Sequence, residues 1–158
     1  MKKERETMNE KSRLLEEFKE WIRFVSEIRE MDWQITIAEG KWSVQDIVSH
    51  ILLWDKYFLE AAISPILNNT PLTLTHMDFE QFNQDAIEYG KTKTKEELIK
   101  MTIQYRNMIL ESIESFEDDK FTKEYADGNF TVISYLRDFI WHDQHHIRQI
   151  DELKRRAM

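Results

Sequence analysis

The sequence predicts an all-α fold: a four-helix bundle with a short extra helix in the connection between its second and third long helices. Two observations carry this expectation. Only three glycines and two prolines occur in 158 residues. They stand at Gly40, Pro65, Pro71, Gly90 and Gly128 and leave long pieces free of breakers. Within those pieces apolar residues recur at gaps of three and four, the period of an amphipathic helix. An all-β fold would need many more turn residues. The length suits one domain, residues 1–158, with a single sizeable core.

The first helix is expected at about residues 8–31, with Leu14, Leu15, Phe18, Trp21, Ile22, Val25 and Ile28 on one face. The second opens after Ser43, an N-cap with Asp46 in the first turn. Val44, Ile47, Ile51, Trp54, Phe58 and Ala61 continue its stripe, and Pro65 is expected to end it. Residues 65–77 read as a loop and 78–88 as the short helix. The connection 64–93 is long enough to cross the bundle end. Thr94-Lys95-Glu96-Glu97 has the capping-box pattern and opens the third long helix. Its inward residues are expected to be Leu98, Met101, Tyr105, Met108, Ile109, Ile113 and Phe116. The last helix spans about 131–155, with Val132, Leu136, Phe139, Ile147, Ile150 and Leu153 inward.

Composition narrows the function. A net charge of −8 argues against nucleic acid, whose binders carry a basic patch, and against anionic lipid. With no Cys, disulfides, thiolate nucleophiles and Cys-ligated zinc are excluded. Nine Phe and five Trp make the chain too apolar for disorder. The start MKKERETMNEKSR lacks the apolar stretch of a secretory signal, and no charge-free window reaches membrane-spanning length. A cytoplasmic protein is expected.

The histidines carry the chemistry. With His142 at 0° on the last helix, the apolar stripe centres at about 100°, and His146 lies at about 40°. His145 falls at about −60°, towards solvent. His50 sits at the edge of the second helix's stripe by the same arithmetic. Two His at i, i+4 can share a metal, and a third imidazole from a facing helix would complete a three-His set. Three protein ligands leave a position for water or substrate. The alternative is three hydrogen-bonded boundary histidines. Imidazole suits zinc, nickel, iron and copper, so ligand type does not choose the metal; zinc or nickel is the expectation, with iron as the further option. His145 and His76 have no assigned role. Asp143 and Asp55 point inward, and a buried carboxylate needs a partner. For Asp143 two readings stand: orienting a ligand imidazole, or bonding a Tyr, Trp or Arg of the core. Trp54, Tyr57 and Phe58 could wall a substrate cleft or be ordinary core aromatics.

Three stretches resemble a known family. Gly40-Lys41-Trp42-Ser43-Val44-Gln45-Asp46-Ile47-Val48-Ser49-His50-Ile51 resembles the start of the second helix in DinB-like proteins. His142-Asp143-Gln144-His145-His146-Ile147-Arg148-Gln149-Ile150 resembles their last-helix signature. Phe79-Glu80-Gln81-Phe82-Asn83 resembles a stretch found in one branch. The resemblance implies a four-helix bundle with a divalent metal on His50, His142 and His146. It further implies a metal-dependent enzyme, either a transferase joining a low-molecular-weight thiol such as bacillithiol to small electrophiles, or a hydrolase. A homodimer and a role in stress response are expected with it. The alternative is a helical bundle that binds a metal or small ligand without turnover.

Overall fold

A computed structural model describes residues 2–157 of the chain, with side chains from Glu10 to Arg156. It contains α1 (Lys2–Glu27), α2 (Val44–Phe58), a π turn (Leu59–Ile63), α3 (Ser64–Asn68), α4 (Phe79–Lys91), α5 (Lys95–Ser115), α6 (Asp118–Thr122) and α7 (Val132–Ala157). Among the described residues no helix is long and apolar enough to cross a membrane. Extended pairing among the described residues is limited to two isolated bridges, Thr36 with Ser43 and Tyr125 with Phe130. α2, α5 and α7 begin within a residue or so of where the sequence places them, whereas α1, expected at about 8–31, runs from Lys2 to Glu27. Ser43 and Thr94 each close a capping box, with Asp46 and Glu97 as the reciprocal acids, and both boxes satisfy otherwise orphaned N–H groups.

Pro65 does not end the second helix. The π turn and α3 carry helical backbone on to Asn68, and Asn69, left-handed at φ 56°, terminates it. Proline lacks the N–H that would bond the carbonyl four residues back. Here that carbonyl, on Ala61, accepts instead from the Thr73 N–H at 2.9 Å. The loop expected at 65–77 therefore shortens at its start.

The four long helices have an unusual order. Lys11 Nζ donates to the carbonyl of Phe116 beyond the end of α5, and Lys95 at its start donates to the carbonyls of Arg29 and Met31, so α5 runs antiparallel to α1. Glu10 pairs with Arg137, and Arg156 reaches the Ile37 carbonyl past the other end of α1; α7 is parallel to α1. The Gln45 N–H donates to the Trp33 carbonyl, so α2 starts at the same end as α5 and runs with it. The connection between α2 and α5 does not cross the bundle end. It returns along the outside of α2 as α4, with Gln45 bonded to the Gly90 carbonyl at one end and Trp54 to Asn83 at the other. Gly90 lies so close to Ser49 that any Cβ there would clash. This cover buries α2 nearly all round, Val48, Ser49 and Leu52 included.

Two apolar layers fill the bundle. One gathers Trp21, Ile28, Trp33, Ile47, Ile51, Leu98 and Ile150. The other gathers Phe18, Ile63, Ile109, Ile113, Leu136 and Ile140. A fully buried arginine, Arg106, lies inside the bundle against Asp55 and Asp143. It rotates the inward face of α5 away from the expected one. Thr102, Arg106, Ile109 and Ile113 are buried, Met101 and Tyr105 are half-buried, and Met108 is exposed.

Candidate metal centre

The polar centre of the molecule is built from α2 and α7, helices whose backbones have almost no close approach. Side chains fill the space between them. The three histidines expected to converge do so: His50, His142 and His146 each offer a ring nitrogen within 4.8 Å of the others. Their ring centroids lie 4.6–5.4 Å apart. His50 is 2 % and His146 7 % exposed, far more enclosed than a stripe edge facing water. His142 is half-buried and is the member of the trio that opens to the surface.

Each ring is held by its neighbours. The His50 Nδ1–H donates to the Ile47 carbonyl at 2.6 Å, and Trp42 packs edge-on against the ring at 4.6 Å. The His146 Nδ1–H donates to Gln149 Oε1 at 2.8 Å. In both rings a proton on Nδ1 leaves the Nε2 lone pair free. His142 Nδ1 is buried with no hydrogen-bond partner among the described residues. A buried orphan of this kind calls for an explanation, and a coordinating ion supplies one. Burial lowers all three basicities. His50 is pushed well down by burial and then by the neighbouring His146 and His142. His142 is lowered by burial, then by His145 and Arg106. His146 falls to about 4, chiefly by burial and then by His142. Metal ligation requires the neutral imidazole, and these surroundings favour it. Nitrogen–metal bonds of about 2.0–2.1 Å set ligand nitrogens of a tetrahedral ion about 3.4 Å apart, so small χ rotations would close the trio around an ion. The donor set fits a divalent transition-metal ion.

Asp143 does not orient an imidazole. Of its two readings the bond to a core arginine is the one present. Arg106 donates from Nη1 to Asp143 at 2.6 Å, from Nε and Nη2 to Asp55 at 3.0 and 2.9 Å, and to the Phe18 carbonyl at 3.2 Å. Its guanidinium also lies 3.9 Å over the Phe18 ring. Burial lifts Asp143 to about 7 and raises Asp55, against the pull of Arg106. Burial opposes the arginine's charge, but the two carboxylates outweigh it. The support that the imidazoles do receive comes from Ile47 and Gln149, and Gln149 lies within the quoted last-helix motif.

Beside His142 a groove of about 490 Å³ opens between α2, α4 and α7. Trp54, Phe58 and Phe79 form one wall, and Phe139 and Trp141 the other; Asn83 and Asp138 add the remaining polar groups. Of the two readings open for these aromatics, Trp54 and Phe58 take the first and line the groove, while Tyr57 lines an adjoining cavity with Leu74, His76 and Met77. His145 is half-buried and stacked on Trp141; His76 is exposed. Asp138 was not singled out from the sequence, and Asn83, Trp141 and Gln149 stood in or beside the quoted motifs without a role. Asp138 and His142 share a face at i, i+4, a signal that was available.

Fold and site together define an all-α protein with a three-imidazole centre opening on an aromatic groove. The DinB superfamily model matches residues 13–150, and the chain belongs to that family. Among solved structures it is similar to YfiT from Bacillus subtilis at 18 % identity and a TM-score of 0.74, over 93 % of this chain and 87 % of that one. That protein is described as a probable metal-dependent hydrolase with an unusual four-helix bundle topology. At this identity the likeness speaks for the fold. No curated protein sequence matches the chain.

Proposed function

We propose that the protein is a metal-dependent enzyme that holds a divalent ion on His50, His142 and His146 and transfers an external, bacillithiol-type thiol to small electrophiles. The observation that carries this reading is the convergence of three imidazoles, disposed to be neutral, beside an aromatic groove. When bound, such an ion lowers the pKa of a thiol or water at its open position and so supplies a nucleophile at neutral pH. The chain does the rest. Ile47 and Gln149 fix two imidazole tautomers, and the aromatic walls bind an apolar substrate body while excluding water. Any thiol comes from outside, because the chain has no Cys.

Hydrolysis is the second reading. It is favoured by Asp138, whose carboxylate lines the groove beside His142 and would accept the proton that an attacking water must lose.

Metal analysis of the purified protein beside His50→Ala and His142→Ala tests the centre. The expected result is stoichiometric metal in the parent and its loss from both variants, with helical circular dichroism retained. Unchanged metal in both variants would overturn the site. Bacillithiol with monobromobimane then tests transfer. A metal-dependent rate above the solution reaction is expected. Its absence, with metal-dependent cleavage of an activated ester, would select hydrolysis.

A further inference from the structure

We infer that the groove beside His142 takes a flat apolar molecule bearing a positive charge, an arylalkylammonium, with the ammonium seated at Asp138. Assigning this molecule as the substrate rests on the proposed function; its binding does not.

The groove is one-sided in charge. In the metal-free protein Asp138 is, among the described residues, the only formally charged side chain along it, and no Lys or Arg lines it. Among the described residues Asp138 makes no ion pair or side-chain hydrogen bond. Arg137, the next residue, pairs with Glu10 instead. The adjoining cavity likewise has no Lys, Arg, Asp or Glu on its walls. A smaller one, between Phe58, Phe130 and Phe139, has Asp138 as its only charge. Aromatic faces carry the negative part of a quadrupole and attract cations, so the rings and the carboxylate favour the same ligand charge. The rings also fix its shape. Phe79 and Trp141, 65 % and 63 % exposed, stand on opposite walls, and Trp54 is the buried part of the Phe79 wall at 8 % exposure. Trp54 donates its indole N–H to Asn83 Oδ1 at 2.8 Å; that oxygen is neutral, and the Asp138 carboxylate is the charged acceptor that an ammonium would prefer. One helical turn separates Asp138 from His142, which sets the remainder of a two- or three-ring molecule beside the imidazoles.

Calorimetric titration with tryptamine, tryptophol and indole-3-acetate tests this, since the three share a ring system and differ in charge. Tryptamine is expected to bind about tenfold tighter than tryptophol, the scale of a charge-assisted contact reinforced by aromatic faces, with indole-3-acetate weakest. Asp138→Asn should bring tryptamine to the tryptophol level and leave tryptophol unchanged. Trp141→Ala should weaken tryptamine and tryptophol together. Binding of indole-3-acetate as tight as that of tryptamine, an intact tryptamine preference in Asp138→Asn, or no binding of any of the three would overturn the inference. Titrating chelated and zinc-loaded protein separates it from the enzyme reading. A preference for the cation in protein that holds no zinc supports the groove and not the centre. Stoichiometric zinc without that preference overturns the groove alone.

Discussion

Asp55 and Asp143 stand on the same two helices as His50, His142 and His146, within about one or two turns of them, yet the two clusters are built on opposite terms. Around Arg106 each donor has an acceptor, and the guanidinium, both carboxylates and the Phe18 carbonyl are closed to water. Around the histidines two rings spend their Nδ1 protons on the protein and point a lone pair at the others, and the third keeps an unpartnered Nδ1. The first cluster satisfies itself and ties α1, α2, α5 and α7 together. The second is complete only with something added. Polar groups buried side by side can thus be told apart by what they leave unspent.

The largest expected effect breaks the closed cluster. Arg106→Met leaves two buried carboxylates uncompensated and should cost about 3–5 kcal/mol in urea unfolding. Replacing Asp55 and Asp143 by Leu in the same chain should restore most of that loss, because an apolar trio leaves no charge stranded. If the triple variant is as unstable as the single one, the cluster does more than neutralise itself.

Removing a partner from the open cluster should do something different. Gln149→Ala is expected to weaken zinc affinity about 10- to 100-fold in competition with a chelator, the usual cost of losing the group that orients a ligand imidazole. The urea midpoint of the metal-free protein should hardly move. A large fall in that midpoint with unchanged zinc affinity would make Gln149 a structural residue, as Arg106 is.

The smallest effect is a displacement along the pH axis. Protons compete with metal for imidazole. Burial lowers the basicity of all three rings, with His146 at about 4, so the neutral forms persist below the ordinary histidine value of about 6.5. Zinc should therefore remain bound at pH 5.5 in dialysed protein and leave on further acidification. Midpoints at about 6.5 for the three rings of the metal-free protein in an NMR titration, where an unperturbed histidine titrates, would show that burial does not protect the site.

Much of this was legible in the sequence. Breaker-free pieces and three-four spacing gave the long helices and both capping boxes, and angular arithmetic chose the three histidines that meet. What escaped was polar where the pattern expected apolar. Thr102 and Arg106 occupy core positions of α5, so a search for an apolar stripe followed Met101, Tyr105 and Met108 instead. The corrective signal was present: two aspartates on inward faces require a cation, and Arg106 lies at the right spacing from Leu98, Ile109 and Ile113. Pro65 misled for another reason. A proline stops a helix only when the carbonyl it orphans finds no other donor, and here Thr73 supplies one across the connection. The order of the helices has no counterpart in periodicity, which is blind to direction.

Arg106 has one more consequence. It reaches from α5 across the bundle and joins α2 to α7 through Asp55 and Asp143. The separation of those two helices, and with it the width of the aperture between them, is therefore tied to a side chain that never faces the opening. A chain in which that spacer is shorter or longer would change which molecules can enter without altering a single residue on the walls.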